Sequence, residues 1–117
     1  GPCEGGRDAH YAYGKYAVYP GGNFEEHLRP FSEGAFALEG GTQSASAVMP
    51  YYTISYGQDK ENGENVGNSF SRYLIGNLLR EQLGYDGVVC TDWGITHNTG
   101  KPKKNSPENA GVWKSLR

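Results

Sequence analysis

The sequence has little of several features that define common protein classes. Its two cysteines form no C-x-x-C pair and lie at no zinc-ligand spacing, so nothing calls for a disulfide, although a single one stays an open alternative. No apolar run reaches the roughly 18 residues of a membrane helix. The net charge is only −2, because 11 Lys and Arg nearly balance 13 Asp and Glu. We therefore expect neither a membrane nor a nucleic acid as partner.

Glycine, proline and tyrosine are what the sequence has in abundance. The 117 residues include 18 Gly and 6 Pro, and 9 Tyr supply most of the 13% aromatic content. The glycines show no three-residue period, which excludes collagen, and the aromatic content argues against disorder. The first residues form no apolar stretch typical of a signal peptide. The length fits one small domain or a piece of a larger one.

The first half of the chain predicts a long loop and then a helix. Residues 1–22 carry many turn signals, so we expect an irregular, functional loop. A helix should begin at Asn23, because Asn23 and Glu26 match a capping box. An apolar stripe continues from Phe24 to Leu38, with a kink expected at Pro30. Two glycines at 40–41 should end the helix.

The second half predicts strand, helix and strand. Residues 45–54 are typical of a buried strand whose pairing stops at Pro50. After a polar loop, residues 69–83 show the wide apolar face of a helix that packs on a sheet, with Gly84 just past its end. Residues 88–91 form a continuous apolar run, typical of a strand buried on both faces of a parallel sheet. Residues 99–117 are polar, and we expect a tail or linker there.

This order of elements predicts an α/β fold, in which chemistry lies at the carboxyl ends of parallel strands. The two strand ends are Pro50-Tyr51-Tyr52 and Thr91-Asp92-Trp93. Asp92 is the strongest catalytic candidate, because a carboxylate at the mouth of a buried strand acts in a dry setting. The alternative is that Asp92 caps the next helix or forms an Asx turn.

The stretch Gly84 to Gly94, GYDGVVCTDWG, resembles the signature of family 3 glycoside hydrolases, the group that contains many β-glucosidases. Residues 28–31 and 47–52 are similar to two further blocks of that family, and the resemblance extends over about residues 7–98. It implies a partial TIM-type (β/α)8 barrel, about two βα units with long strand-exit loops. On this reading, residues 1–98 run from after the fifth barrel strand to just past the seventh.

The resemblance also implies roles for individual residues. Asp92 matches the nucleophile of a retaining mechanism, whereas Tyr52 and Met49 match residues of the substrate site. Trp93 offers a flat face on which a sugar ring could stack. The implied substrate is a β-glucoside-like carbohydrate, and neither a cofactor nor a metal is expected.

Other catalytic parts of the family have no match in these 117 residues. A Lys-His pair would precede Gly1, and a Glu acid/base would come from a later domain. We therefore expect the isolated chain to need the rest of the barrel and a second domain, or to self-associate. The family also implies a secreted or periplasmic parent enzyme.

Two alternatives stay open. Asp8-Ala9-His10 resembles the Asp-Ser/Thr-His dyad with which N-acetylglucosaminidases of the same family supply a proton, which would make His10 the acid/base. The structural alternative is that the Asp8–His10 pair only holds a loop together. The chain could also be catalytically silent, with a structural or carbohydrate-binding role only.

Overall fold

A computed structural model describes residues 4–90 of the chain. Asp92, Trp93 and the predicted tail at 99–117 lie outside these residues. Within them the chain forms short strands and two main helical segments. The strands are β1 (Tyr16–Ala17), β2 (Ala47–Val48), β3 (Ile54–Ser55) and β4 (Val88–Val89), and the helices are α1 (Phe24–Arg29) and α2 (Arg72–Gln82).

The strands pair in parallel as two separate two-stranded sheets. β2 pairs with β4, with Ala47 opposite Val88 and Val48 opposite Val89. Because α2 lies between these two strands in sequence, the segment has the order strand, helix, parallel strand, while the α/β fold class as a whole stays a prediction. β1 pairs with β3, so part of the stretch 1–22, expected to be an irregular loop, forms a strand.

α1 begins where the sequence predicts but is held differently. Asn23 occupies the N-cap position, yet its side chain makes no capping hydrogen bond. Glu26 instead accepts a hydrogen bond from Arg29, 3.2 Å away, so the predicted capping box is wrong. At Pro30 the helix changes to a π-type segment, Pro30–Ala35, in which the Phe36 amide donates to Phe31 five residues earlier. The proline ring removes one donor, which explains the break in the regular ladder.

This helical region ends at Ala35, short of the predicted Leu38. The Ala35 carbonyl accepts from the Ala45 amide at 2.7 Å, and the Leu38 amide donates to Gln43. These two bonds enclose residues 39–42, so the chain reverses direction across the glycines at 40–41 and returns toward β2.

The predicted strand at 45–54 proves to be two strands in different sheets. β2 covers Ala47–Val48 only, and β3 begins at Ile54. Pro50 lies between them, and the prediction that pairing stops there is confirmed. Since a proline has no amide hydrogen, the chain leaves the β2 ladder and joins β1 after a short irregular stretch.

α2 starts later than predicted, at Arg72, after a short 3-10 turn at Asn68–Phe70. Ser71 caps it, because its hydroxyl accepts from the Leu74 amide at 3.1 Å. α2 is a π-type helix, and just past its end the Leu83 amide donates to Leu78, five residues back. Gly84 follows with φ of 62°, a left-handed conformation, so the predicted role of Gly84 is confirmed.

The prediction that the last strand is buried on both faces is wrong for Val88. This residue is 62% exposed, whereas Val89 is half-buried. Within residues 4–90, β4 pairs with β2 alone, so its other edge and the Val88 side chain are open to solvent. No helix in the described residues is long and apolar enough to span a membrane.

The buried side chains can be grouped by the elements to which they belong. One group surrounds β1 and β3 and includes Ala9, Ala17, Thr53, Ile54 and Val66. The other belongs to the helices and to the turn before β4 and includes Phe24, Leu78, Leu79 and Tyr85. Ala9 of the first group directly precedes His10, and Tyr85 of the second lies in the turn before β4.

Candidate active site

The carboxyl ends of β2 and β4 lie at one edge of their sheet. The Cys90 amide donates to the Val48 carbonyl at 2.9 Å, which extends the parallel register beyond Val89. Cys90 carries a free thiol whose sulfur lies 3.5 Å from the same carbonyl. The segment after β2, which contains Met49 and Tyr52, therefore begins at the same end of the sheet as the segment after β4. Asp92 follows Cys90 by two residues in sequence, outside the described residues.

The structure brings Tyr52 and His10 together. Their rings meet edge to face, with centroids 5.0 Å apart. His10 lies 42 positions earlier in the sequence and Tyr52 is half-buried, so this contact fixes the N-terminal loop against the segment after β2. Sequence reasoning named both residues but gave no reason to expect them in contact.

Asp8 and His10 form the predicted pair. One Asp8 carboxylate oxygen accepts from the His10 amide at 2.9 Å and lies 2.6 Å from His10 Nδ1. The backbone N–H of His10, and then its ring, hold the pKa of Asp8 below the usual range. An ionised Asp8 favours a proton on Nδ1 and leaves Nε2 to exchange a proton elsewhere. The His10 side chain is 62% exposed, so Nε2 can reach a ligand.

A tight backbone turn holds this pair. The Tyr11 amide donates to Asp8 and the Gly14 amide donates to Tyr11. Ala9 is fully buried beneath the turn. A Cβ at Gly14 would overlap the Asp8 carbonyl, so only glycine permits this approach. The sequence offered a weak signal for this turn, a glycine within a tyrosine-rich run.

The turn before β4 is held by Arg80 and Tyr85, which sequence reasoning missed. The Arg80 guanidinium donates to the carbonyls of Tyr85 and Gly87, at 2.9 and 2.7 Å. The Tyr85 hydroxyl donates to the Ala45 carbonyl at 3.0 Å, just before β2. These bonds join both strand entrances, so they set the position of β4 relative to β2.

Met49 directly follows β2, three positions before Tyr52. It is 52% exposed and borders an open cavity of about 330 Å³ between α1, β2 and α2. Aromatic and aliphatic side chains dominate the lining, among them Phe24, Leu28, Phe31, Phe36, Leu74 and Leu78. His27, Ser55 and Asn68 also line it, but apolar side chains make up most of the lining, so the cavity fits a packing surface better than a sugar subsite. Neither His10 nor Tyr52 is among the described residues that line this cavity.

No cluster of three or more His, Cys, Asp or Glu side chains capable of holding a metal occurs in residues 4–90.

No family model matches the chain. Its sequence is nevertheless similar to β-glucosidases. β-Glucosidase C of Emericella nidulans is 46% identical over 99 residues, which are 85% of this chain and 15% of that protein. The probable β-glucosidase C of Aspergillus oryzae is 45% identical over 95 residues, 81% of this chain and 14% of that protein. A periplasmic β-glucosidase/β-xylosidase of Dickeya chrysanthemi is 39% identical over 100 residues, 84% of this chain and 14% of that protein.

The chain is similar to a segment of β-glucosidases. It spans only 14–15% of the length of these relatives. The β-glucosidase-like character that the motif around Asp92 predicted is thereby confirmed.

Proposed function

We propose that this chain is the nucleophile-bearing segment of a retaining family 3 β-glycosidase that hydrolyses terminal β-linked sugars. The observation that carries the proposal is the 39–46% identity to β-glucosidases over 81–85% of the chain. The resemblance of residues 84–94 to the family 3 signature supports the choice of family and the nucleophile role of Asp92.

In this proposal the Asp92 carboxylate attacks the anomeric carbon as the bond to the leaving oxygen breaks. The leaving oxygen takes a proton from an acid, and a covalent glycosyl ester forms on Asp92. The same acid, now a base, removes a proton from water, which attacks the ester and releases the sugar with retained configuration. The two groups must lie about 5–5.5 Å apart when both are carboxyls.

The parallel β2–β4 pair supports a barrel origin for the segment. Two neighbouring parallel strands joined through α2 are the repeating unit of a (β/α)8 barrel, whose chemistry lies at the carboxyl ends of its strands. Both strands have an open side in the described residues, and Val88 is largely exposed. We propose that the neighbouring strands of a barrel cover these positions in the parent enzyme.

The remaining roles follow the same proposal. Tyr52 binds the sugar or donates to Asp92, Trp93 stacks on the sugar ring, and Met49 lines the site. Met49 is the weakest of these, because its described surroundings are apolar. The acid/base comes either from a later part of the parent protein or from His10.

The His10 alternative has support of its own. Its ring touches Tyr52, and Asp8 orients it through Nδ1. A histidine held in this way has the geometry of a general acid. A catalytically silent segment that only binds carbohydrate is the second candidate function, favoured by the exposed tyrosines near His10.

A covalent trap tests the nucleophile. A 2-deoxy-2-fluoro β-glucoside with a good leaving group forms a glycosyl ester that turns over slowly, and peptide mass spectrometry locates it. We expect the label on Asp92 in a chimera that carries residues 1–98 in place of the matching segment of the Emericella nidulans β-glucosidase C, where the rest of the barrel completes the site. Label on another residue contradicts the assignment, and no label on the chimera contradicts the proposed function.

Asp86→Asn is the matched control for Asp92→Asn. Asp86 is exposed, lies in the turn before β4 and carries no proposed role. In the chimera we expect Asp92→Asn to lower kcat at least about 1,000-fold, as befits loss of a covalent nucleophile. Asp86→Asn should leave kcat within about threefold.

The leaving group decides between the two acid/base assignments. If His10 is the acid, His10→Ala in the chimera slows release of a poorly acidic alcohol about 100-fold or more. It barely affects a dinitrophenyl leaving group, which needs no proton. Equal effects on both leaving groups assign the acid/base to another part of the enzyme.

A further inference from the structure

Two tyrosines beside His10 form an exposed aromatic surface. The rings of Tyr11 and Tyr13 are stacked, with centroids 5.4 Å apart and planes 7° from parallel. Tyr11 is 50% exposed and Tyr13 is 62% exposed. Stacked rings that remain this exposed present flat apolar area to solvent together with two hydroxyl groups.

The pair is held at a defined place. Tyr11 directly follows His10, and its amide donates to Asp8 while its carbonyl accepts from Gly14. The turn that orients His10 toward Tyr52 therefore also carries the pair. Because Gly14 must approach the Asp8 carbonyl, the backbone on both sides of the pair has little freedom.

The chemistry of this surface fits a sugar better than a purely apolar ligand. A pyranose ring has a face of C–H groups that packs on an aromatic ring, while its rim of hydroxyls needs hydrogen-bond partners. A tyrosine offers both in one rigid side chain. The Asp8–His10 pair lies directly before Tyr11 in the sequence, and its polar atoms can also bind hydroxyl groups.

From this geometry we infer that Tyr11 and Tyr13 bind a second sugar unit of a β-linked oligosaccharide, next to the unit held at Tyr52. The inference rests on the proposed function, because the first sugar site is the one assigned to Tyr52. It adds an oligosaccharide preference that the nucleophile and Tyr52 do not by themselves provide.

Binding to the full 117-residue chain tests the inference through two probes. Ligand-observed NMR gives the dissociation constants of cellotriose and of methyl β-D-glucoside. In the double variant Tyr11→Ala/Tyr13→Ala we expect the affinity for cellotriose to fall about three- to tenfold, the range that loss of aromatic stacking implies. The affinity for methyl β-D-glucoside should not change.

The controls separate stacking from folding. Tyr56→Ala removes a tyrosine that is 53% exposed but contacts Tyr16 instead, so cellotriose affinity should not change. Tyr11→Phe/Tyr13→Phe keeps the flat rings and should retain most of the affinity. Tyr11→Leu/Tyr13→Leu keeps apolar bulk without a ring and should lose as much as the alanine variant. The NOE between His10 and Tyr52 reports that the loop stays in place.

Each other outcome has a distinct meaning. Unchanged cellotriose affinity in the alanine and leucine variants overturns the inference and leaves the proposed function standing. An equal loss for both ligands also overturns it, because the pair would then belong to the first sugar site. Failure of the wild-type chain to bind either probe overturns it as well. Cellotriose binding that depends on the tyrosines, without covalent trapping on Asp92 in the chimera, supports the inference and contradicts the catalytic proposal.

Discussion

The turn before β4 and the loop around His10 have similar backbone contacts but differ in burial. Each brings two stretches of backbone close together at a glycine. A Cβ on Gly87 would meet the Tyr85 hydroxyl and lie 2.9 Å from the Ser46 carbonyl, and a Cβ on Gly14 would meet the Asp8 carbonyl. Each also uses a charged side chain to hold backbone groups, Arg80 in the turn and Asp8 in the loop.

The difference lies in burial. Tyr85 is 3% exposed and packs against Phe36, with ring centroids 4.5 Å apart. The Asp8 and His10 side chains are 48% and 62% exposed. The turn thus forms part of the framework that sets β4 beside β2, whereas the loop presents polar and aromatic groups to solvent. Changes in the turn should affect global stability, and changes in the loop should affect local structure and binding.

The sharpest test of this difference is Gly87→Ala. The added methyl group has no room between Tyr85 and Ser46, and we expect the free energy of unfolding to fall by about 1–3 kcal/mol, the usual cost of overpacking. Urea denaturation measures the change. Gly34→Ala is the control, because nothing lies within 4 Å of a Cβ there. A loss equal to that of Gly34→Ala would show that the turn is not tightly packed.

Tyr85→Phe should have the next largest effect. It removes the hydroxyl that donates to Ala45 and leaves that carbonyl without this partner. We expect a loss of about 1 kcal/mol, measured in the same way. The change also removes part of the overlap with a Gly87 methyl, so the double variant Tyr85→Phe/Gly87→Ala should lose less than the sum of the single losses. Strict additivity would contradict the contact between the two sites.

Gly14→Ala should leave the global free energy of unfolding within about 1 kcal/mol of wild type, because the loop can open while the rest stays folded. Its effect is local: the Gly14–Tyr11 hydrogen bond should break, so the Gly14 amide should exchange its hydrogen faster. The His10–Tyr52 NOE should weaken. Unchanged hydrogen exchange at residue 14 would show that the loop tolerates a side chain.

The smallest effect concerns pH. The pKa of Asp8 is lowered mainly by the His10 amide and secondarily by the His10 ring. A depressed pKa in the folded chain means that the ionised carboxylate stabilises the loop above the unfolded pKa, and that this contribution is lost as pH falls through the folded pKa. The Asp8 carboxyl carbon, followed by NMR, should titrate below the usual aspartate range.

His10→Ala separates the effects of the His10 ring and the His10 amide on the pKa of Asp8. It removes the ring but keeps the backbone N–H, so the pKa of Asp8 should rise only part of the way toward its ordinary value. A full return to the ordinary value would show that the ring, rather than the amide, holds the carboxylate. Ala37→Gly, a change at an exposed residue away from the loop, should leave the Asp8 titration unchanged.

Much of the framework could be predicted from local pattern. The βαβ order around α2, the strand end before Pro50 and the left-handed Gly84 all follow from residue chemistry acting over a few positions. The errors occurred where another part of the chain competes. Glu26 pairs with Arg29 instead of closing a capping box, and Ala35 bonds Ala45 instead of continuing its helix.

The candidate site divides in the same way. The motif around Asp92 and the similarity of residues 47–52 to a known block could be recognised in sequence. The contact of His10 with Tyr52 and the stacking of Tyr11 on Tyr13 could not, because both depend on how the N-terminal loop folds back. The assignments of Asp92 and Trp93 stay predictions.

The sequence by itself determined the residue types, the local elements and the resemblance to β-glucosidases, since each depends on neighbouring positions or on a contiguous motif. Only the tertiary structure decided that residues 45–54 divide between two sheets and that Arg80 and Tyr85 join the entrances of β2 and β4. It also decided that the Asp8–His10 pair meets Tyr52. The reason is that these features depend on contacts between residues up to 42 positions apart, and a local pattern carries no information about such contacts.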